Sequence, residues 1–226
     1  WVEYDFTEPE QVQERVIDAD IVITNKVILN ARNLSQATRL RLIAISATGV
    51  NNVDTAYCEA NGIGVANVQG YATRSVPEHV IAMLFSLKRN LVGYHQDIEK
   101  GEWQKDKQFC FFTHPIQDVS GSTLGIIGSG GLGQATALLA KAIGMNVLFS
   151  ERKGVSICRE GYLPFEELLQ QSDAITLHCP LNEETHHLIG KSELLLMKRS
   201  AVLINAGRGN LVHEQALVDG LQTGEI

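Results

Sequence analysis

The fold is decided by the stretch Leu124-Gly125-Ile126-Ile127-Gly128-Ser129-Gly130-Gly131-Leu132-Gly133. Its first half is a short apolar run typical of a buried strand, and its second half, residues 128–133, fits the pattern G-x-G-x-x-G. Such a hexamer is common in loops and means little alone. Here the following residues have the apolar spacing of a helix, and a second apolar run follows at residues 146–149. A strand, a glycine-rich turn, a helix and a second strand together predict a dinucleotide-binding unit.

The glycines of this hexamer have separate predicted tasks. Gly128 permits the tight turn, Gly130 lets a pyrophosphate approach the backbone, and Gly133 lets the helix pack closely against the strand. The N-terminus of the helix offers unpaired N–H groups and the positive end of its dipole to the phosphates. An ordinary strand-to-helix turn is the alternative interpretation.

Glu151 supports the dinucleotide interpretation. It lies 18 positions after Gly133, where the second strand ends. An acid at this place can bind the ribose hydroxyls of the adenosine half of the cofactor. Because its charge would repel a 2′-phosphate, Glu151 predicts NAD in preference to NADP. Arg152 and Lys153 follow directly and weaken that preference.

Strand-like and helix-like segments alternate along the chain, which predicts an α/β fold with parallel sheets covered on both faces. Strand-like runs lie at residues 20–24, 42–46, 63–68, 124–128, 146–149, 174–177 and 202–204. Helix-like runs lie at residues 9–19, 133–143, 164–171, 192–197 and 213–221, besides a long one after Ser75. The apolar face of the helix at 133–143 is predicted to hold Ala135, Leu138, Leu139 and Ala142, with Gly144 as its C-terminal cap.

The helix after Ser75 has clear start signals and an unusual composition. Ser75 is predicted as its N-cap, Glu78 completes a capping box, and Pro77 fits the first turn. Residues 79–87 are apolar nearly all round, which predicts burial between domains or in a subunit interface. We therefore expect a homodimer. The polar and aromatic stretch at residues 90–122 predicts a domain junction near residues 92–120.

Bulk properties exclude several classes of protein. A net charge of -7 disfavours non-specific binding to nucleic acid or to an anionic membrane surface. No apolar run is long enough to span a bilayer, and the first residues lack the features of a signal peptide. The four cysteines, Cys58, Cys110, Cys158 and Cys179, form no CxxC pair, and Cys110 with His114 lacks further ligands, so no metal site is predicted. Free thiols of this kind indicate a cytoplasmic protein.

Four further segments point to a particular family. They are residues 47–54 (ATGVNNVD), 75–79 (SVPEH), 177–181 (LHCPL) and 204–209 (INAGRG). In this order around a G-x-G-x-x-G unit, they resemble the D-2-hydroxyacid dehydrogenases over nearly the whole chain. Residues 70–73 (GYAT) and 111–115 (FFTHP) look most like the hydroxypyruvate reductase, or D-glycerate dehydrogenase, branch. The resemblance implies a partial, smaller, flavodoxin-like α/β substrate domain at residues 1–92 and a partial Rossmann NAD-binding domain at residues 93–226.

The resemblance also implies roles for individual residues. Backbone N–H groups of Gly49, Val50 and Asn51 would hold the substrate carboxylate. Arg208 would bind the carboxylate and the keto oxygen, because its planar fork of donors suits both. For the cofactor, the resemblance implies that the backbone of Gly131 and Leu132 contacts the pyrophosphate. Cys179 and Pro180 would border the adenosine half, and Ala206 and Gly207 would lie beside the nicotinamide.

Reduction of a ketone also needs a proton donor. In the family that the chain resembles, the donor is a His supported by a Glu, and both follow the Arg-containing segment. We expect this His and this Glu to lie beyond Ile226, and we expect the first strand of the family to lie before Trp1. The chain is therefore expected to be truncated at both ends. Among the seven His present, only His213, five positions after Arg208, is a weak candidate for a stand-in.

The resemblance implies an NAD-dependent oxidoreductase that interconverts a small 2-oxo acid and a D-2-hydroxy acid. The expected reactions convert hydroxypyruvate to D-glycerate or glyoxylate to glycolate. One alternative is an NADH-sensing, non-enzymatic protein like the corepressors on this fold, and another is an inactive remnant. A third is a phosphoglycerate-type dehydrogenase, which would need added cations near the substrate loop; Arg74 is the obvious candidate.

Overall fold

A computed structural model describes residues 1–224 of the chain. The chain forms two compact units, Trp1–Tyr71 and Ala72–Ile226. This division lies earlier than the predicted boundary after residue 92, because the long helix that begins at Ser75 packs in the second unit. Its buried side chains share one core cluster with the strand and helix of the glycine-rich segment. The predicted α/β fold with parallel sheets is confirmed in both units.

The first unit contains a parallel three-stranded sheet in the order β1-β2-β3. The strands are β1 (Ile21–Thr24), β2 (Leu42–Ile45) and β3 (Gly64–Asn67), and the helices are α1 (Val12–Val16), α2 (Ala31–Leu34) and α3 (Thr55–Ala60). A 3₁₀ turn, Pro9–Gln11, replaces the first part of the helix predicted at residues 9–19. The core consists of buried apolar side chains of this unit, among them Leu29, Leu34, Ile43, Ile45 and Cys58.

The second unit contains a parallel five-stranded sheet in the order β6-β5-β4-β7-β8. The strands are β4 (Thr123–Ile127), β5 (Asn146–Ser150), β6 (Tyr162–Leu163), β7 (Ala174–Leu177) and β8 (Val202–Asn205). Strand β4 pairs with both β5 and β7, so the order of the strands reverses there. In open α/β sheets, ligands bind outside the carboxyl ends of the strands at such a reversal.

Helices cover both faces of this sheet and bury two core clusters. They are α4 (Ser75–Lys88), α5 (Leu91–Glu99), α6 (Glu102–Asp106), α7 (Gly131–Ala142), α8 (Phe165–Gln171), α9 (Lys191–Leu196) and α10 (Glu214–Thr223), with a 3₁₀ turn at Gly209–Leu211. Helices α5 and α6 lie in the stretch that was predicted as a junction. None of the helices within residues 1–224 is long and apolar enough to cross a membrane.

The predicted start of α4 is wrong in one detail. Ser75 is the first residue of the helix, and the residue in the N-cap position is Arg74, which makes no side-chain capping bond. Pro77 remains in the first turn, as predicted, where its missing N–H does not interrupt the helix. The helix therefore starts without the capping hydroxyl that the sequence suggested.

The predicted inner face of α7 is also wrong. Leu138 is 72% exposed and Leu139 is 38% exposed. The buried face consists of small residues at helical spacing, namely Gly133, Thr136, Ala137 and Ala140. Because small side chains permit close approach, α7 packs tightly on β4 and α4 with these residues inward, and the bulkier leucines lie on the far side. Gly144 has φ +86° and its N–H donates to the carbonyl of Lys141 at 3.0 Å, as expected for a C-terminal cap.

Candidate functional site

The glycine-rich turn between β4 and α7 lies at the carboxyl end of the central strand. Gly128 has φ +101°, a conformation that residues with a side chain rarely adopt. A Cβ at this position would lie 2.6 Å from the backbone N of Cys179 and 2.6 Å from the carbonyl C of His178. Both the backbone angle and the close approach of the chain after β7 therefore require glycine here.

Helix α7 packs directly against this turn through Gly133. A Cβ on Gly133 would lie 2.0 Å from the carbonyl O of Gly128, a separation that no real Cβ contact shows. The third glycine of the hexamer thus permits the close packing that the pattern predicts.

The remaining glycines of the hexamer border open space. Gly130 occupies the N-cap position of α7 in an extended conformation, and no side chain caps the helix there. A Cβ added to Gly130 or to Gly131 would meet no atom within 4 Å. The first N–H groups of a twelve-residue helix therefore face room for a ligand, and a helix N-terminus of this kind favours an anion such as a pyrophosphate. Leu132 lies in the same first turn.

A cavity of about 620 Å³ opens at the carboxyl ends of β4, β5 and β7. Its volume falls in the range of small-molecule sites, about 300–1,000 Å³. Five residues that the sequence assigned to a cofactor line it: Gly128, Gly130, Glu151, Cys179 and Pro180. Residues that the sequence analysis did not single out for this site also line it, among them Phe165, Asn182, Glu184, Thr185 and Leu188.

Glu151 directly follows β5 and is 6% exposed. Its Oε1 accepts from the backbone N of Arg152 at 3.0 Å and from Nη2 of Arg159 at 3.0 Å. Its Oε2 accepts from Nε of Arg159 at 2.6 Å and from the backbone N of Arg159 at 3.3 Å. The side-chain bonds from Arg159 are the largest cause that lowers the pKa of Glu151 to about 2. The carboxylate predicted to bind ribose hydroxyls is thus already bound within the protein.

Three basic residues line the same end of the cavity: Arg152, Lys153 and Arg159. The Arg159 guanidinium also lies over the ring of Tyr162, 3.9 Å from its centroid. Lys153 Nζ lies 2.8 Å from Glu193 Oε1. Arg159 could not be identified from the sequence, because it follows Glu151 by eight residues in a loop, where no periodicity indicates which side chains meet.

His178 follows β7 and lies beneath the glycine-rich turn. Its Nε2 is 3.2 Å from Thr136 Oγ1 on α7 and 3.2 Å from Thr176 Oγ1 on β7. Thr136 Oγ1 donates its hydrogen to the carbonyl of Leu132 at 2.9 Å, so it accepts from Nε2 of the imidazole. Burial lowers the pKa of His178 to about 4. A neutral imidazole thus links the sheet to the helix that follows the glycine-rich turn.

The segment after β8 carries Ala206, Gly207 and Arg208, and these residues do not line the cavity. Asn205 shapes this turn: its Oδ1 accepts from the backbone N of Gly207 at 3.0 Å, and its Nδ2 donates to the carbonyl of Arg208 at 2.8 Å. Arg208 is exposed, and its Nη1 makes one long bond of 3.4 Å to the carbonyl of Gly207. The rest of the guanidinium remains available to a ligand. The roles assigned to these three residues stay predictions.

In the first unit, the loop that contains Gly49, Val50 and Asn51 follows β2. Thr48, which precedes it, is held to the end of β3 by two bonds. Asn67 Nδ2 donates to the carbonyl of Thr48 at 2.7 Å, and Thr48 Oγ1 donates to the carbonyl of Val68 at 2.9 Å. The loop therefore starts from a fixed position at the carboxyl edge of its own sheet, which suits backbone groups that must hold a carboxylate. That substrate role stays a prediction.

His213 occupies the N-cap position of α10. Its Nδ1 accepts from the backbone N of Ala216 at 3.2 Å, and its ring lies 4.6 Å from that of His187 between centroids. The capping contact gives His213 a structural role, and nothing in its contacts supports a stand-in proton donor. Within residues 1–224, no group of three or more His, Cys, Asp or Glu side chains could hold a metal ion.

Comparison with known proteins identifies the second unit. A family model described as the NAD binding domain of D-isomer specific 2-hydroxyacid dehydrogenases matches residues 81–226. The match includes the glycine-rich turn, the cavity and the segment after β8.

Two known sequences are similar over essentially the whole chain. A putative 2-hydroxyacid dehydrogenase of Haemophilus influenzae is 54% identical over 100% of this chain and 72% of that protein. A glycerate dehydrogenase of Methylorubrum extorquens is 47% identical over 99% of this chain and 70% of that protein. A crystal structure of a Thermus thermophilus protein superposes with a TM-score of 0.86 and is 33% identical, covering 96% of this chain and 69% of the other.

Proposed function

Because the chain belongs to the family of D-isomer specific 2-hydroxyacid dehydrogenases, we propose that it interconverts hydroxypyruvate and D-glycerate, and accepts glyoxylate as a second 2-oxo acid. The family is one of NAD-dependent oxidoreductases, and NAD is the cofactor of this chain. The observation that supports the choice of substrate is the 47% identity with a glycerate dehydrogenase.

The residues of the second unit fit the cofactor. The open space at Gly130 and Gly131 leaves room for the pyrophosphate against the first turn of α7. The cavity beyond it, bordered by Cys179 and Pro180, would hold the adenosine half. Bound NADH supplies the hydride that the keto carbon receives.

Arg208 would do two things for the substrate. Its guanidinium would bind the carboxylate through paired N–H donors. Donors near the keto oxygen would also stabilise the negative charge that develops there as the hydride arrives. The reaction also needs a proton for that oxygen, and the resemblance implies a His supported by a Glu as its donor.

The substrate is tested by steady-state assays of NADH oxidation with hydroxypyruvate, glyoxylate, pyruvate and 3-phosphohydroxypyruvate. We expect the highest kcat/KM with hydroxypyruvate, followed by glyoxylate. A preference for 3-phosphohydroxypyruvate would support the phosphoglycerate-type alternative. Binding of NADH that promotes self-association without turnover of any 2-oxo acid would support the corepressor-like alternative.

We further propose that the protein is a homodimer and that it is cytoplasmic. The free thiols of the four cysteines support the cytoplasmic location. The dimer is supported by an apolar surface, residues 87–116, that runs from the end of α4 through α5 and α6. It exposes Leu91, Val92, Trp103, Phe109 and Phe112, the last two by 94% and 78%. Extended exposed apolar patches are uncommon on monomers and mark interfaces.

Light scattering coupled to size-exclusion chromatography tests the dimer. We expect twice the mass of the chain for the wild type and the mass of one chain after Phe109→Ser with Phe112→Ser. The matched control is Leu138→Ser, which removes an exposed apolar side chain from α7, outside this surface. A wild-type protein that remains monomeric at all concentrations would contradict the proposal.

A further inference from the structure

Three histidine rings lie in a row close to the cofactor cavity. The ring of His187 lies between those of His186 and His213, with centroids 3.8 Å and 4.6 Å from its own. All three side chains are exposed, and we call them together the histidine stack. Imidazole is the side chain whose charge changes near neutral pH, so the charge of the stack depends on pH.

The histidine stack lies where two segments of the site meet. Part of the first segment, residues 182–188, lines the cofactor cavity. The second segment, residues 209–213, directly follows Arg208. Backbone bonds join the two segments: the N of His187 donates to the carbonyl of Asn210 at 2.7 Å, and the N of His213 donates to the carbonyl of Ile189 at 2.9 Å. A change in the stack therefore acts on the cavity wall and on the Arg208 segment together.

The contact that His213 makes with α10 requires an uncharged ring. Its Nδ1 accepts from the backbone N of Ala216 at 3.2 Å and so caps this helix. A ring nitrogen that accepts a bond carries no hydrogen, and protonation would turn it into a donor. The added charge would also lie at the positive end of the helix dipole. Protonation of Nδ1 therefore breaks the cap and repels the first turn of α10.

No opposite charge in residues 1–224 forms an ion pair with the histidine stack. The charged side chains nearest to it in the sequence, on the loop, on α9 and on the segment that leads into α10, are Glu183, Glu184, Lys191, Glu193, Arg208 and Glu214. Loss of hydration, and then the charges of His186 and His213, lower the pKa of His187 below its ordinary value of 6.5. The closed stack therefore binds fewer protons than an open one as the pH falls below that value, and acid favours opening.

We propose that the histidine stack is a pH-sensitive switch of the cofactor site. At neutral pH, the uncharged rings of His186, His187 and His213 hold residues 182–188 against residues 209–213. In mild acid, the rings take up protons from solvent and repel one another, the two segments separate, and the affinity for NADH falls. The inference rests on the dinucleotide site of the proposed function and adds the regulation of that site by pH.

Amide hydrogen exchange of the whole chain, followed by mass spectrometry, tests the opening of the stack. It is measured at about pH 7.5 and about pH 5.5, on either side of the ordinary pKa of histidine, and corrected for the intrinsic effect of pH on exchange. We expect the protection of residues 187–189 and 209–216 to fall by about fivefold or more at the lower pH, as for the loss of a helix cap. Peptides from β2 and β3, in the other unit, are the internal reference. Protection that falls equally in the reference, or that does not fall in the two segments, would overturn the inference.

Replacements of His213 test the cause, because Asn and Asp also cap helices. His213→Asn keeps a capping oxygen and removes one imidazole, so the protection of the two segments should change by less than about twofold between the two pH values. His213→Asp places a carboxylate beside His187, so a proton on His187 is attracted and the protection should be equal or higher at the lower pH. If both variants keep the pH dependence of the wild type, the inference is wrong.

His95→Asn is the matched control for these variants. It removes an exposed imidazole from α5, where the charged neighbour of His95 is Glu99 at 3.5 Å, outside the histidine stack. This variant should keep the pH dependence of the wild type. His178 is unchanged in every variant, so its own titration contributes equally to all of them. Loss of the pH dependence in His95→Asn would assign the effect to the general charge of the protein and overturn the inference.

Fluorescence titration with NADH at the same two pH values tests the effect on the cofactor site. We expect the Kd of the wild type to rise by about fivefold or more at the lower pH, and that of His213→Asn to rise by less than about twofold. A Kd that is equal at both pH values in the wild type, or that rises equally in both proteins, would overturn the regulation and leave the proposed function intact. Absence of NADH binding at either pH, in a chain that is protected from exchange at the higher pH, would contradict the proposed function.

Discussion

The replacement Gly133→Ala tests whether α7 is packed against the glycine-rich turn as closely as the structure indicates. The added Cβ would lie 2.0 Å from the carbonyl O of Gly128, 3.1 Å from its carbonyl C and 3.3 Å from Cγ2 of Ile126. The two nearest atoms are backbone, so no flexible side chain can move aside. Turn and helix must separate by roughly 1 Å or more to reach an ordinary contact distance.

The loss of unfolding free energy in Gly133→Ala can be compared with the effect of a matched replacement in the same helix. Overpacking of this kind destabilises by about 1–3 kcal/mol, and alanine returns about 0.5–1 kcal/mol of helix propensity. We expect a net loss of about 1–2 kcal/mol, which lowers Tm by roughly 2–8 °C in a protein of this size. Gly131→Ala adds the same methyl group where no atom lies within 4 Å, so it should stabilise by up to about 1 kcal/mol.

Thermal unfolding and NADH titration measure the two effects. The chain has two tryptophans, Trp1 and Trp103, and only Trp103 belongs to the second unit. In a Trp1→Phe background, fluorescence therefore reports the unit that contains the turn. Gly133→Ala should lower both the Tm and the affinity for NADH. If Gly133→Ala and Gly131→Ala unfold at the same temperature, the close packing at Gly133 is refuted.

Three further predictions follow from the same site. Gly130→Val should leave the chain folded, since the space there is open, and should raise the Kd for NADH by about tenfold or more because the pyrophosphate occupies that space. Calorimetry measures both the thermal unfolding and the Kd. Arg208→Lys should raise KM for hydroxypyruvate without changing the Kd for NADH, because an ammonium lacks the planar fork; equal changes in both would contradict the substrate role. For His178, the folded-state pKa of about 4 lies below the ordinary value of 6.5, so the unfolded state binds more protons between these values. The free energy of unfolding should therefore fall as the pH falls from about 6.5 to about 4, by on the order of 2 kcal/mol after a discount for partial exposure. His178→Gln cannot titrate, so thermal melts of this variant should lack this part of the pH dependence.

The arrangement of strands and helices could be predicted because it depends on local patterns. The runs at β4, β5, β7 and β8 are mostly apolar, as expected for strands buried on both faces. The glycine hexamer also reports a local requirement, since the turn at Gly128 needs a positive φ. Such signals stay within a few residues of the chain and do not depend on distant partners.

The inner face of α7 could not be predicted by the same reasoning. Hydrophobicity alone favours Leu138 and Leu139 as core residues over Thr136 and Ala140. The structure reverses this order because the distance between the helix and the sheet is set by Gly133 at the turn, and at that distance only small side chains fit. Thr136 is also fixed by its partner His178, which lies 42 positions later in the chain.

The electrostatics of the cofactor site could not be predicted from local sequence either. The charge of Glu151 and its position directly after β5 predict a preference for NAD. Whether that charge reaches a ligand depends on Arg159. Two N–H groups of its side chain and its backbone N–H donate to the Glu151 carboxylate. The segment between them, residues 152–158, contains no helix or strand, so no periodicity in the sequence indicates that Glu151 and Arg159 meet.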